Sequence, residues 1–359
     1  MVEITPKTLN YDLYILNWAR GICAILVVLG HSRVLGWGRG QNSILWEHSL
    51  ERIFLFPTSL GMESVGVFFV ISGYLVGGKT YEQTLKKEFI WKRFLTDRLC
   101  RLWIVLIPGL IFTLFVDWAM GYKINISIKS GLCNIFFLMS SQCSSYGNNA
   151  SLWSLGYEFY FYLAFALVSV FLFQLKSNDK KILYICLFFL LSIIFTPKLF
   201  ILFPAWLIGV LGYIVETKLL STQLMKIKIQ YLYLGVPLLL AGFFISDLLS
   251  LSENMTILFI SIPAFFFTIS VVVISKRTKK RLCYVSKTLD FFGSSSYSIY
   301  VFHLPAILFY FDLYSHFPGF LGISQIYLVS FLAVAFSSSL YFLFEKNTSQ
   351  LRKIIYHKF

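Results

Sequence analysis

Long apolar runs, broken by short polar and basic segments, recur from one end of the chain to the other. A helix needs about 20 mostly apolar residues to cross a bilayer. Ten runs meet or approach that length: 15–35, 59–78, 99–120, 152–173, 182–196, 200–216, 231–249, 255–275, 293–312 and 323–344, the fifth being the shortest. The pattern predicts an all-α polytopic membrane bundle of about ten transmembrane helices, one integral-membrane domain over 1–359. The longest stretches between runs, 36–58 and 121–151, are too short to fold alone. Residues 1–14 lack the short apolar core and small-residue site of a cleavable leader, so the first run is expected to stay in the mature protein.

Composition agrees with this reading. The chain is 57% hydrophobic and 13% charged, about half the charge of an average soluble protein. Its net charge of +14 does not require nucleic acid, because the basic residues are sorted. With the N-terminus inside, the inner segments hold 24 Lys and Arg and the outer ones 5. Such a bias orients a membrane protein with its basic loops in the cytoplasm, which predicts both termini inside. Of the six Cys, Cys23 and Cys186 lie in apolar runs and read as small apolar residues. Cys100 and Cys283 fall on the cytoplasmic side. Cys133 and Cys143 share one outer loop in an oxidising compartment and are expected to pair. No Cys or His cluster suggests a metal site.

Polar residues inside the runs carry the candidate chemistry, since an ionisable group within a membrane is expensive and reads as functional by default. Arg20 and His31 stand eleven residues apart in the first run. That is about three helical turns, so both lie on one face, roughly 16 Å apart along the axis. Asn17 and Ala24 fall near the same stripe. The plainer alternative has Arg20 snorkelling to the interface and His31 satisfied within the bundle. Glu63 opens the second run near the depth of His31. Glu158 lies one turn inside the fourth run, after Trp153-Ser154-Leu155. Ser296, Tyr297, Tyr300 and His303 stud the ninth; for Trp153, Tyr297 and Tyr300 an interfacial aromatic belt is the alternative. Between the second and third runs, Lys86 to Leu95 alternates basic and bulky apolar clusters and predicts an amphipathic helix in the cytoplasmic interface, drawn to anionic lipids. Arg98 and Arg101, one turn apart, share a face and have the forks to grip a phosphate jointly; topology anchoring is the alternative.

In order along the chain, these residues resemble the membrane acyltransferase-3 family, bacterial O-acetyltransferases that decorate surface sugars. Leu16-Asn17-Trp18-Ala19-Arg20-Gly21 followed by His31 is similar to its opening Arg-x10-His signature. Val65 to Leu75, with Phe68-Phe69 and Ser72-Gly73, resembles its second-span motif, and Arg98-Leu99-Cys100-Arg101 its Arg-x-x-Arg. Leu152-Trp153-Ser154-Leu155-Gly156-Tyr157-Glu158 with Phe161-Tyr162 looks like Trp-Ser-Leu-x-x-Glu, and Ser296-Tyr297-Ser298-Ile299-Tyr300 with His303 and Pro305 like the ninth-span signature. The match covers 16–346. Asn17 stands where the family usually has Asp, Gly66 where an acid is common, and Asn347 where Pro often follows Glu-Lys.

The resemblance implies a membrane O-acyltransferase of the bacterial inner membrane. It would move an acetyl group from cytoplasmic acetyl-CoA, a donor substrate rather than a resident cofactor, to a hydroxyl of a surface glycan or a lipid-linked sugar. On this reading His31, with Glu63 or Glu158 to orient it, is the catalytic group, either as general base or as carrier of the acetyl group. Arg20, Arg98 and Arg101 meet the donor phosphates, and Trp153, Ser154, Tyr297 and His303 meet the acceptor. Membrane lipids are partners; nucleic acid is not. Two other readings are a transporter or flippase for a lipid-linked sugar, without acyl transfer, weakened by the lack of matched Gly/Pro-interrupted halves, and a polysaccharide polymerase or ligase, which is expected to carry a long catalytic outer loop where the longest here is about thirty residues.

Overall fold

Each of the ten apolar runs carries a helix in the computed structural model, as expected where backbone N–H and C=O groups have no water to bond. The structure describes residues 13–37, 49–122, 126–139, 141–194, 198–219, 226–278, 285–315 and 323–358. Lys7, Arg39, Lys123, Lys279, Lys280 and Arg281 of the charge tally, and Cys283, lie outside the described residues. In chain order the helices are α1 (Tyr14–Trp37), α2 (Ser49–Ser59), α3 (Gly61–Ser72), α4 (Gly78–Leu85), α5 (Trp91–Ala119), α6 (Ile128–Ile135), α7 (Trp153–Ser169), α8 (Asn178–Ile194), α9 (Lys198–Ile214), α10 (Ile229–Leu232), α11 (Gly235–Leu249), α12 (Glu253–Thr278), α13 (Val285–Ser294), α14 (Ser296–Ser315), α15 (Ile323–Ser339) and α16 (Thr348–Lys358). No strand forms among the described residues beyond an isolated bridge between Met139 and Cys143.

Eight stretches among the described residues are long and apolar enough to cross a membrane: Tyr14–Gly36, Gly61–Leu85, Trp91–Ala119, Ala150–Gln174, Phe200–Lys218, Gln230–Leu249, Glu253–Arg277 and Ile323–Tyr356. The other two expected spans fall on α8 and α14. α8 has 17 residues, none of them buried, and packs at the edge of the bundle against α7. α14 carries Ser296, Tyr297, Ser298, Tyr300, His303 and Asp312 within its 20 residues, polar content that lowers its hydropathy and that the candidate site uses.

α1 is the centre of the packing, touching α3, α13, α14 and α15. α3 is enclosed along most of its length, burying even Glu63 and Ser64. After Ser72 it passes through a wide π-helical turn, Gly73–Gly77, before α4; such turns offset the helix face and recur at functional sites. Glycine is required here. A Cβ on Gly73 would lie 1.9 Å from the Trp206 carbonyl oxygen, and one on Gly209 would lie 2.0 Å from that of Val70. The backbones of α3 and α9 therefore touch, as small residues allow in membrane bundles. The contact brings Trp206, fully buried, beside Phe161 and Phe203 (ring centroids 6.2 and 6.0 Å).

One expected element is corrected. The amphipathic helix across Lys86 to Leu95 does not form as a unit. α4 ends at Leu85, Lys87 takes a left-handed φ of 60°, Ile90 is extended, and α5 starts at Trp91. The break separates the Lys86-Lys87 cluster from Lys92-Arg93 and turns the latter into the first turn of a long span.

The segment between α5 and α7 is stapled. Cys133 and Cys143 are disulfide-bonded, with Cα atoms 6.5 Å apart. Inside the closed loop, Asn134 Nδ2 donates to the Ser130 and Ser144 carbonyls (2.9 and 3.1 Å), and its Oδ1 accepts from Tyr146 N at 3.1 Å. Asp117, at the end of α5, accepts from Asn148 N and Nδ2 (3.0 and 3.1 Å).

Candidate functional site

Five motif-bearing helices and the turn after α3 converge on an open cavity of about 780 Å³ including its mouth. Helical spacing explains who lines it. On α7, Ser154, Glu158 and Tyr162 are separated by four residues each, so they share one stripe, and all three face the cavity. On α14, Ser296, Tyr297 and Tyr300 do so. Phe68 and Ser72 come from α3, Val76 from the π turn, Arg20 from α1, and Arg101 with Leu102 from α5.

The hydroxyls are committed to one another and to Glu158. Ser72 Oγ and Tyr162 OH both donate to Glu158 Oε1 at 2.5 Å, and Trp206 Nε1 donates to Ser72 Oγ at 3.3 Å. Tyr300 OH donates to the Ser151 carbonyl at 2.7 Å, so Ser154 Oγ, 2.5 Å away, is the donor to Tyr300. Tyr297 OH donates to the Leu102 carbonyl at 3.0 Å, tying α14 to α5 beside Arg101.

The guanidinium groups are not so committed. Among the described residues, neither Arg20 nor Arg101 makes a hydrogen bond or an ion pair. Arg20 lies in the field of Arg101, Glu345 and Glu158. Glu158 is already an acceptor for two hydroxyls, and Glu345 Oε2 accepts from Ser298 N and Oγ at 3.0 and 2.8 Å. Two like charges with open donor forks in one half-buried cavity have the chemistry to receive an anion, since Arg presents paired N–H groups to phosphate or carboxylate oxygens.

Arg98 does not join them. It lines a neighbouring cleft, about 380 Å³ with its mouth, together with Lys79, Arg93, Glu88 and Asp97. Its guanidinium stands 5.8 Å from the centroid of the Tyr162 ring, and its Nε is buried without a hydrogen-bond partner. Val76 lines both spaces, and Tyr162, which lines the larger one, has Arg98 against its ring.

The two histidines lie further along α1 and α14 than the cavity. Their rings pack with centroids 5.2 Å apart, and His303 stands 5.8 Å from the Tyr300 ring. The order along α14 is therefore cavity, Tyr300, His303, then His31 across the helix interface. Glu63 accepts from Ser246 Oγ of α11 at 2.9 Å, and its second oxygen is buried without a partner. Trp153 packs edge-on against Tyr157 (5.8 Å) and is not among the residues lining the cavity. Asn17 reaches the Asp290 carbonyl and Ser294 Oγ, both at 3.4 Å, joining α1 to α13.

Of the residues singled out from the sequence, the fold gathers Arg20, Arg101, Ser154, Glu158 and Tyr297 at one cavity, pairs His31 with His303, and sets Arg98, Glu63 and Trp153 elsewhere. It adds Ser72 and Tyr162 as partners of Glu158, and Glu345 as a carboxylate near both arginines. Glu345 follows the last apolar run as the acid of the Glu345-Lys346 pair; its role beside the arginines becomes visible through its contact with Ser298 of α14.

Comparison with known families matches residues 13–342 to the acyltransferase-3 model, an acyltransferase domain. No curated protein and no solved structure matches the chain.

Proposed function

The chain belongs to the acyltransferase-3 family and is an integral membrane acyltransferase; on that premise we propose that it moves an acetyl group from cytoplasmic acetyl-CoA to a hydroxyl of a cell-surface glycan or its lipid-linked precursor, in a bacterial inner membrane. The observation that carries this reading is the pair of uncommitted guanidinium groups, Arg20 and Arg101, in one cavity, Arg20 in the N-terminal half of α1 and Arg101 in that of α5. We read the topology as ten spans with both termini in the cytoplasm, α8 and α14 being the ninth and tenth crossings beyond the eight strongly apolar ones. The basic-residue bias supports that orientation, and so does the Cys133–Cys143 disulfide, which belongs in an oxidising space.

In this orientation the cavity and the Arg98 cleft both lie toward the cytoplasm, where an anionic donor arrives. Lys79, Arg93 and Arg98 suit the nucleotide phosphates. Arg20 and Arg101 suit the groups closer to the thioester, and the pantetheine arm runs past Tyr162 and Tyr300 toward the histidines. His31 takes the proton of the acceptor hydroxyl as its oxygen attacks the thioester carbonyl carbon. A C–O bond forms, the C–S bond breaks, and the proton passes to the departing thiolate. Ser154 and Tyr297 bound the acceptor's side of the cavity. Glu158 keeps Tyr162 and Ser72 in position and balances the arginines while the donor is absent.

The test is transfer of radiolabelled acetyl from acetyl-CoA to the endogenous glycan fraction in inverted membrane vesicles. Vesicles containing the protein are expected to incorporate label, and vesicles with His31→Ala at equal protein level to lose it about 10²- to 10⁴-fold, the range for a general base. Transport of a lipid-linked sugar with no incorporation of label would replace this reading with the flippase one.

A further inference from the structure

His303 is held in one tautomer by its own helix. Its Nδ1 lies 2.8 Å from the Tyr300 carbonyl oxygen and 3.1 Å from that of Ile299. A carbonyl only accepts, so Nδ1 carries the hydrogen. A second proton would make a cation on a side chain with no exposed surface, deep in a membrane bundle, an expensive state. The neutral ring therefore presents a bare lone pair at Nε2. That atom is buried and has no hydrogen-bond partner, and a buried acceptor left open in a folded protein calls for a reason.

With its Nδ1 edge turned to the backbone of α14, the ring directs Nε2 away from its own helix. Across the interface its neighbour is His31, 5.2 Å between centroids and tilted by 42°. We propose that His303 is the positioning residue of His31. On binding substrate its Nε2 accepts an N–H of His31, which turns the other His31 nitrogen, unprotonated, to the acceptor hydroxyl. As His31 takes up the hydroxyl proton, the hydrogen bond to His303 becomes charge-assisted and strengthens, so the contact favours the transition state over the ground state. A carboxylate would do this more strongly in water, but a neutral acceptor avoids burying a charge beside the reacting thioester. The orienting group beside a general base fixes which nitrogen is bare, and here that group is itself fixed by two main-chain carbonyls. This inference rests on the reading of His31 as the base.

Two amide substitutions separate this role from a structural one. In His303→Gln the amide oxygen reaches the position of Nε2, so the acceptor is kept. In His303→Asn the amide nitrogen reaches the position of Nδ1, so the bonds to Tyr300 and Ile299 are kept and the acceptor is lost. Acetyl transfer from acetyl-CoA is measured in inverted vesicles for both, for His303→Ala and for His31→Ala, normalised to folded protein. We expect His303→Asn and His303→Ala to lose turnover about 10- to 100-fold, the size of one hydrogen bond to a charged group, with the KM for acetyl-CoA within about twofold. His303→Gln should recover most of the turnover. Wild-type turnover in His303→Asn, or a loss in Gln as deep as in Asn, overturns the proposal. So does failure of all three His303 variants to accumulate, which would assign the residue to structure. Full activity in His31→Ala is a different failure: it removes the base itself, and with it the reading on which His303 depends.

Discussion

Asn149 Nδ2 donates to the Val301 carbonyl at 3.0 Å, and that carbonyl is free because the residue four positions on is Pro305, which has no N–H. The proline of the ninth-span motif thus opens an acceptor in α14, and the segment before α7 closes it. Asn149 also donates to Thr113 Oγ1 at 3.2 Å and accepts from Ser151 Oγ at 2.7 Å. The same segment supplies the Ser151 carbonyl to Tyr300, so the wall of the cavity is fastened through a helix defect.

This relationship makes Asn149→Ala costly. It leaves the Val301 carbonyl buried and unpaired and should destabilise the protein by about 1–3 kcal/mol, read as a lower melting temperature in detergent. Pro305→Ala restores the helical N–H, so in that background the Asn149 substitution should cost markedly less. Equal losses in both backgrounds would mean that the carbonyl is not what Asn149 serves.

Arg98 and Arg101 should separate by donor length. Arg98→Ala is expected to raise the KM for acetyl-CoA about 10- to 100-fold, the scale of a charge-assisted contact, yet leave the KM for acetyl-pantetheine, which lacks the nucleotide, nearly unchanged. Arg101→Lys keeps its charge but loses the planar fork and should weaken both donors. Identical effects of the two substitutions on the two donors would mean that the arginines share one subsite.

Glu158→Gln keeps an oxygen for Ser72 and Tyr162 while removing the charge that faces Arg20 and Arg101. The protein should fold at normal levels, because the hydrogen bonds at 2.5 Å retain an acceptor, and turnover should fall at least about tenfold through misplacement of the donor arm. Glu158→Ala removes the acceptor as well and should lower the melting temperature. Unchanged turnover in a folded Glu158→Gln protein would show that the carboxylate is structural only.

The orientation is tested by reporter fusions after Asn148, Asn254 and Phe359, expected to read outside, outside and inside. An outside reading at Phe359 would mean an odd number of crossings and would overturn the loop assignments in one half of the chain.

By itself the sequence determined the helices, the membrane environment and the stripes on single helices. These depend on local quantities: the length of an apolar run, the 3.6-residue period, the sorting of Lys and Arg. Arg20 and His31 on one face of α1, or Ser154 and Glu158 on one face of α7, follow from spacing alone. Continuity of the Lys86–Leu95 pattern did not follow, because a periodic pattern does not reveal a single left-handed residue such as Lys87 that ends a helix within it. Nor does spacing locate the wall between two cavities. Arg98 and Arg101 share a helix face, yet Arg101 lines the larger cavity and Arg98 the neighbouring cleft, its guanidinium near the Tyr162 ring. Partners far apart in the chain were decided only by tertiary packing: Ser72 with Glu158, Glu345 with the start of α14, and His31 with His303. Each of these contacts depends on how two helices are rotated and set in depth against each other, a relation that leaves no periodic mark in the sequence of either helix.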